Sequence, residues 1–420
     1  MSEEFQQPEA WVSSSNDSLF ISLAEPEGAF TFKPTFTYPI FGDSEQIFGY
    51  KDLRIDLAFD CRTLLPFLSC KYSKKLSDDV IDIESKLLEF LPKDDTILKD
   101  ESVWLDAVEK ENLKFDKIPG EVVSKYEDGD EEFTIYKMKL NDENSINLHR
   151  RMQIFVLLFI EAGSYIDEKD NIWEIYTIFK KIKSEPESKE CFVGFATTYS
   201  YWLFENSITH DLNKDKVDLN YRKKISQFII LPPYQRKNHG KHLYNSIIDE
   251  FLQDDKAKEI TVEDPSEAFD DLRDRCDLNR IFAKNIFKDL TDVNDLLENG
   301  EKDEWVINRR ITEKLERRQF ARLIEMSLIH ILQKYRGKTT IKNFTEKNIR
   351  LLIKKRLYLK NKDALAELDD PTRRDKLQTA YERLKEDYSR ILSKVDLAKL
   401  DLSKRVADEE AESSKRVKSN

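Results

Sequence analysis

Several things are absent from this 420-residue sequence, and each absence removes a class of function. Cysteine occurs only at Cys61, Cys70, Cys191 and Cys276, scattered and with no C-x-x-C pair. Neither a disulfide framework nor a zinc site is expected from that pattern, and a reducing compartment is. The histidines (His149, His210, His239, His242 and His330) form no H-E-x-x-H, so no catalytic metal is expected. No G-x-x-x-x-G-K-[ST] occurs, which sets aside a P-loop nucleotide binder. The best apolar run, Ile154 to Ile160, falls far short of the ~18 residues of a membrane span. Residues 1–17 are acidic and polar, unlike a signal peptide. No repeat of solenoid period is visible.

What is present is a charged, aromatic-rich chain. Charged residues make up 36% and apolar ones 40%, with 25 Phe, 16 Tyr and 5 Trp. That composition fits a soluble globular protein and argues against wholesale disorder. The net charge of -12 is unevenly spread: residues 1–300 carry 38 Lys and Arg against 60 Asp and Glu, residues 301–420 carry 31 against 21. An acidic front suits a basic peptide and repels nucleic acid, or is simply a solvated surface. Length suggests two or three domains. Patterning predicts a disordered lead (1–17), an N-terminal α+β domain (18–140), a second α+β domain (141–286), a helical region (287–407) and a flexible basic tail (408–420).

The second domain carries the chemistry. A buried helix over Leu148–Ile160 is followed by strands over 173–179, 192–201 and 225–231, a loop and helix to 253, a strand over 259–263, and a helix. In the segment SQFIILPPYQRKNHGKH (226–242), the strand Phe228-Ile229-Ile230 runs into two prolines and a polar loop. A helix then opens at His239, so unpaired backbone N–H groups and the helix dipole would face an anion there. Gln235, Arg236, Lys237 and Lys241 add donors and positive charge. A plain loop-to-helix turn would look the same. In KEITVEDPSEAFDDLRDR (258–275), Asp264 reads as a helix cap, with Pro265 at the first position and Glu267 closing a capping box. Glu263 ends the strand. Beside apolar walls it could take a proton from an ammonium, or it could face water. Glu161 ends the apolar helix and is exposed, paired or functional.

These segments resemble the GNAT acetyltransferases, and within them the catalytic subunits of the type B histone acetyltransferases. Gln235-Arg236-Lys237-Asn238-His239-Gly240 is similar to the loop Q/R-x-x-G-x-G/A, with Asn238 where the family has Gly. Asn is the residue after Gly that best tolerates φ > 0, so the loop conformation can survive. The run VEDPSEAFDDLRDR resembles the family segment holding the catalytic glutamate, and residues 159–166 resemble F-I-E-x-x-S-[FY]-I. The resemblance implies a GNAT core: a mixed, splayed sheet flanked by helices. It implies acetyl-CoA as co-substrate, with Phe228, Ile229 and Ile230 along the acetyl-pantetheine arm and residues 235–241, His239 and Gly240 included, at the pyrophosphate. It places Ser266, Phe269 and Arg275 along the cofactor, Glu263 as general base and Glu161 as an auxiliary acid/base. Asp43, Ser44 and Glu45, with Tyr199, Ser200 and Tyr201, would contact the substrate, although core packing explains the aromatics equally well.

The implied substrate is the N-terminal tail of newly made histone H4, carried with H3 before it enters chromatin. The implied partner is a WD-repeat histone chaperone of the retinoblastoma-binding type. The setting is chromatin and DNA repair, in cytoplasm and nucleus. Lys404-Arg405 and Lys415-Arg416-Val417-Lys418 resemble a two-part import signal. Direct binding of nucleic acid is not expected. Two other readings stay open: a GNAT enzyme acting on other amines, and a histone-escort scaffold without turnover, which Asn238 favours. No cysteine lies where an acyl-enzyme would need it, so direct transfer is expected.

Overall fold

The computed structural model describes residues 11–25, 28–182, 189–204, 206–208, 211, 220–335, 339–398 and 400. The chain divides into two compact units, Met1–Tyr201 with Lys223–Glu250, and Trp202–Arg222 with Phe251–Asn420. The import-like clusters and the tail 408–420 lie outside the described residues.

In the first unit, one sheet has the strand order Gly28–Phe32, Leu19–Glu25, Arg54–Asp60, Pro66–Lys71, Ile97–Leu98. Its pattern is the alternation of a half-buried sheet: Leu19, Ile21, Leu23 and Ile55, Leu57, Phe59 are buried, with more exposed residues between. In a second sheet Glu121–Asp128, Glu131–Lys139, Trp173–Ile182, Lys189–Trp202 and Tyr221–Ile230 lie side by side in that order. The hairpin at Gly129, grouped with the N-terminal region from its sequence, pairs along Glu132–Lys139 with Glu174–Lys181 and so belongs to this second sheet.

The expected helix over 148–160 is two helices. Glu143–Met152 starts at the Asp142 cap, which accepts from Ser145 N at 3.0 Å, and Ile154–Phe159 follows. The second is buried from Ile154 to Leu158 and packs between the sheets. Phe155 lies 4.9 Å from Phe59 and 6.3 Å from Phe192, ring centre to ring centre. Residues 11–17 depart from the expected disordered lead. Trp11 is buried, Val12–Ser14 pairs with Gln46–Phe48, and Ser14 caps the turn Ser15–Ser18. The small polar side chains that suggest disorder act here as caps and turn formers.

The second unit is helical after the strand Ala257–Val262. Helices Glu267–Ala283, Val293–Asn299, Glu304–Thr312, Arg317–Lys334, Glu346–Lys360 and Asp370–Leu392 enclose one apolar core. Phe320, Leu323, Ile324, Met326, Leu328 and Ile331 all face it, as their spacing suggests. Asp370-Pro371 opens the last helix, capped by Asp369. No described helix is long and apolar enough to cross a membrane.

Candidate active site

In the first unit the strand Tyr221–Ile230 delivers the loop. Ile229 is buried, while Phe228 and Ile230 are half-buried. On the neighbouring strand, pairing jumps from Ile178↔Gly194 to Phe179↔Phe192. Val193 is therefore the extra residue of a bulge. Its carbonyl accepts from Leu231 N at 3.0 Å. A Cβ on Gly194 would lie 2.3 Å from the Ile229 carbonyl oxygen and 2.9 Å from Ile230 Cα, so only glycine fits there.

Pro232–Tyr234 forms a single 3-10 turn, and Tyr234 anchors it. The Tyr234 hydroxyl donates to Glu25 Oε1 at 2.8 Å and lies 3.4 Å from Cys191 Sγ. Gln235 turns its side chain back, Nε2 donating to the Ile230 carbonyl at 2.8 Å. Arg236 (φ 63°) and Asn238 (φ 62°) are both left-handed. The Asn238 carbonyl accepts from His242 N at 3.1 Å, the first turn of helix His239–Gln253. Asn238 thus holds the left-handed backbone that glycine favours, and Arg236 shares it. Arg236, Lys237 and Lys241 are exposed, with no ion-pair partner among the described residues. Left-handed turns, a helix start and three unpaired cations fit a pyrophosphate.

Glu161 sits on a turn just past Ile154–Phe159 and is exposed. Tyr38 Oη accepts from the next backbone N–H, Ala162, and Gln227 Nε2 donates to the Ser164 carbonyl at 2.8 Å. Gln227 directly precedes Phe228, so one strand holds both the acetyl-arm residues and the Glu161 turn. In the acidic turn, Asp43 and Ser44 are exposed, but Glu45 is committed. Its carboxylate accepts from Thr37 N at 2.7 Å, Tyr38 N at 3.1 Å and Asn16 Nδ2 at 2.9 Å. The Thr37 N–H bond leads in holding that carboxyl below its ordinary range. Tyr199 and Tyr201, with Ser200 between them, present rings whose centres lie 5.4 and 5.1 Å from Lys224 Nζ. A cation of the chain itself faces the aromatics expected to meet a substrate lysine.

In the second unit Glu263 follows the strand Ala257–Val262, half-buried. Ile260 anchors that strand, its N–H donating to the Lys314 carbonyl at 2.7 Å. The helix start differs from expectation. The cap is Ser266, whose Oγ accepts from Phe269 N at 3.3 Å, and the helix is Glu267–Ala283. Asp264 has φ 33°, outside the extended backbone a cap requires, and Glu267 is too early in the helix to close a capping box. Phe269 and Arg275 lie half-buried along this helix. Among the described residues no His, Cys, Asp and Glu group is placed to hold a metal.

Residues 11–161 match the family model described as the N-terminus of histone acetyl transferase HAT1, and residues 274–333 match the C-terminal model of fungal HAT1. A type B histone acetyltransferase catalytic subunit of Debaryomyces hansenii is 49% identical, over 99% of this chain and 96% of its own length. Subunits of the same description from Kluyveromyces lactis (47%, 98% of each chain) and Candida albicans (48%, 93% of this chain and 92% of its own length) also align over nearly the full length. The chain belongs to the type B histone acetyltransferase catalytic subunits. Membership in this family implies acetyl-CoA as the acetyl donor. A solved aminoglycoside acetyltransferase from an uncultured soil metagenomic sample, with trehalose bound, is 16% identical with a TM-score of 0.22; the match covers 33% of this chain and 80% of that one.

Sequence pattern alone misses Gly194, Gln227, Tyr38 and also Tyr126, whose hydroxyl lies 2.9 Å from His239 Nδ1 at the start of the loop helix. Gly194 had a readable signal, a lone glycine inside an apolar strand. The others act on residues from 63 to 124 positions away, and no local pattern marks them.

Proposed function

We propose that this histone acetyltransferase moves acetyl from acetyl-CoA to lysines of the N-terminal tail of newly synthesised, non-nucleosomal histone H4. Transfer is direct, within a ternary complex. Glu263 takes a proton from the lysine ammonium, and the freed amine attacks the thioester carbonyl. A backbone N–H at Ile229 or Ile230 stabilises the oxyanion, and coenzyme A leaves as its thiol on taking up a proton. Residues 235–241 hold the pyrophosphate, with Ser266, Phe269 and Arg275 along the cofactor. Glu161 is the auxiliary acid/base. Asp43, Ser44 and Tyr199–Tyr201 receive the basic tail. The partner is a WD-repeat histone chaperone, and the setting is cytoplasm and nucleus. The supporting observation is the left-handed pair Arg236 and Asn238 directly before helix His239–Gln253, beside the exposed cations Lys237 and Lys241, in a family named for histone acetylation. It also weakens the escort reading, whose one support was Asn238.

The test is single-turnover transfer to an H4-tail peptide. Glu263→Gln should slow it about 10²–10⁴-fold with acetyl-CoA binding retained. Equal rates in variant and wild type would move the base to Glu161. Peptide binding without transfer in the wild type would favour the escort.

A further inference from the structure

Beside the acidic turn of the first unit lies an apolar pocket of about 650 Å³, drawn from residues 40–48 and 76–86. Among its lining residues Ile40, Ile47 and Ile83 are buried. Phe48 and Ile81 are instead 54% and 68% exposed, large apolar side chains left in water on one concave surface. The volume is ample for a side chain of a partner.

Charge narrows the choice of partner. Asp79 lines the pocket, Asp78 precedes it, and Asp43 stands between the lining residues Gly42 and Gln46. All three are exposed, and their carboxylates have no hydrogen-bond or ion-pair partner among the described residues. Lys86, the base in the lining, is already paired with Glu89 at 2.8 Å. An apolar hollow beside unpaired carboxylates suits a basic peptide that carries an apolar side chain. Residues 1–10 fit it poorly, with Glu3, Glu4 and Glu9 and neither Lys nor Arg. A second copy docking by the same face would bring carboxylate to carboxylate. The pocket also adjoins the proposed site. Helix Tyr38–Phe41 lends it Ile40 and Phe41, and Tyr38, at the other end, accepts from Ala162 N beside Glu161. That helix spans about 6 Å, the reach of about two residues of extended peptide.

We infer that this pocket is a substrate subsite: it receives an apolar side chain of a basic peptide a few residues from the acceptor lysine, while Asp43, Asp78 and Asp79 draw the peptide's flanking cations. This rests on the reading of the substrate as a basic histone tail. It gives that tail an apolar anchor, which fixes register along the peptide where charge alone does not.

The test sets two proteins against two peptides. The proteins are the wild type and the double variant Phe48→Ser, Ile81→Ser, which removes the two exposed apolar side chains and leaves the buried lining intact. The peptides are the H4 tail and the same tail with each apolar side chain larger than alanine replaced by serine. Peptide binding by fluorescence anisotropy and kcat/KM are both read. The wild type should favour the unaltered tail about tenfold, near the lower end for burying one leucine-sized side chain. The variant should lose that preference and treat the two peptides alike, at the level of the wild type on the serine peptide. A wild type indifferent to the two peptides, a variant that keeps the preference, or one that loses equally on both would overturn the inference. Indifference joined to equal losses of urea stability in Phe5→Ser and the pocket variant would assign the pocket to residues 1–10. Indifference joined to a dimer that the pocket variant abolishes in sedimentation would assign it to a second copy. A tenfold binding preference without acetyl transfer in the wild type would sink the acetylation reading and leave the subsite standing.

Discussion

Asn238 illustrates how a departure from a motif is read at the scale of one residue. The family loop wants glycine for its backbone, and asparagine reaches the same left-handed region at small cost, here φ 62°. Gly194 is the opposite case, a position where lack of space demands glycine. Gly194→Ala would press a methyl group on the Ile229 carbonyl. The expected cost is about 1–3 kcal/mol, an overpacking penalty. Because Ile229 and Ile230 are the proposed oxyanion site, kcat should fall as well. Urea unfolding and initial rates on the same preparation check both, and a destabilised variant with unchanged kcat would detach this strand from the chemistry. Glu45 and Lys224 show where sequence reading stops. An acid and tyrosines suit a site for a basic peptide, yet Glu45 is spent on Thr37, Tyr38 and Asn16, and Lys224 already faces Tyr199 and Tyr201.

At the scale of an element, helix Glu143–Met152 buries the two ionisable side chains His149 and Arg151. Arg151 is paired with Asp95 at 2.9 Å and Glu111 at 2.5 Å, and it donates to the Thr63 carbonyl at 3.0 Å. Among the described residues His149 has no partner for Nδ1, and burial pushes it from its ordinary 6.5 down to about 4. A depressed histidine binds its proton more readily unfolded. Stability is therefore full above about pH 6.5 and falls as the pH drops toward 4, by roughly 3 kcal/mol at most. Urea midpoints of the wild type should drop between pH 7 and 5, and His149→Gln should drop less. Equal drops would assign the acid sensitivity elsewhere. The elements themselves were largely legible. The strands, the hairpin at Gly129 and helix His239–Gln253 follow period and turn residues. Boundaries set by caps were not: Ser266 replaces Asp264, and one expected helix is two.

For the molecule as a whole, charge is the property with a functional consequence. The loop's exposed cations Arg236, Lys237 and Lys241 stand in the acidic first 300 residues. Screening of exposed charges strengthens as the Debye length shrinks from about 10 Å at 0.1 M to about 3 Å at 1 M salt. KM for acetyl-CoA should rise with salt while that for acetyl-pantetheine stays flat; a flat KM for both would show that these cations do not read the phosphates. The sequence by itself determined the family, the α+β core, the helical C-terminal region and the candidate loop. Each is written locally, in period, turn residues and short motifs. Tertiary structure alone decided which side chains are available. Glu45 is engaged by donors seven to 29 residues away, His239 by Tyr126, and Ile229 is crowded against Gly194. Hydrogen bonds and close contacts between residues far apart in the chain form only when strands and helices pack, so no local pattern carries them.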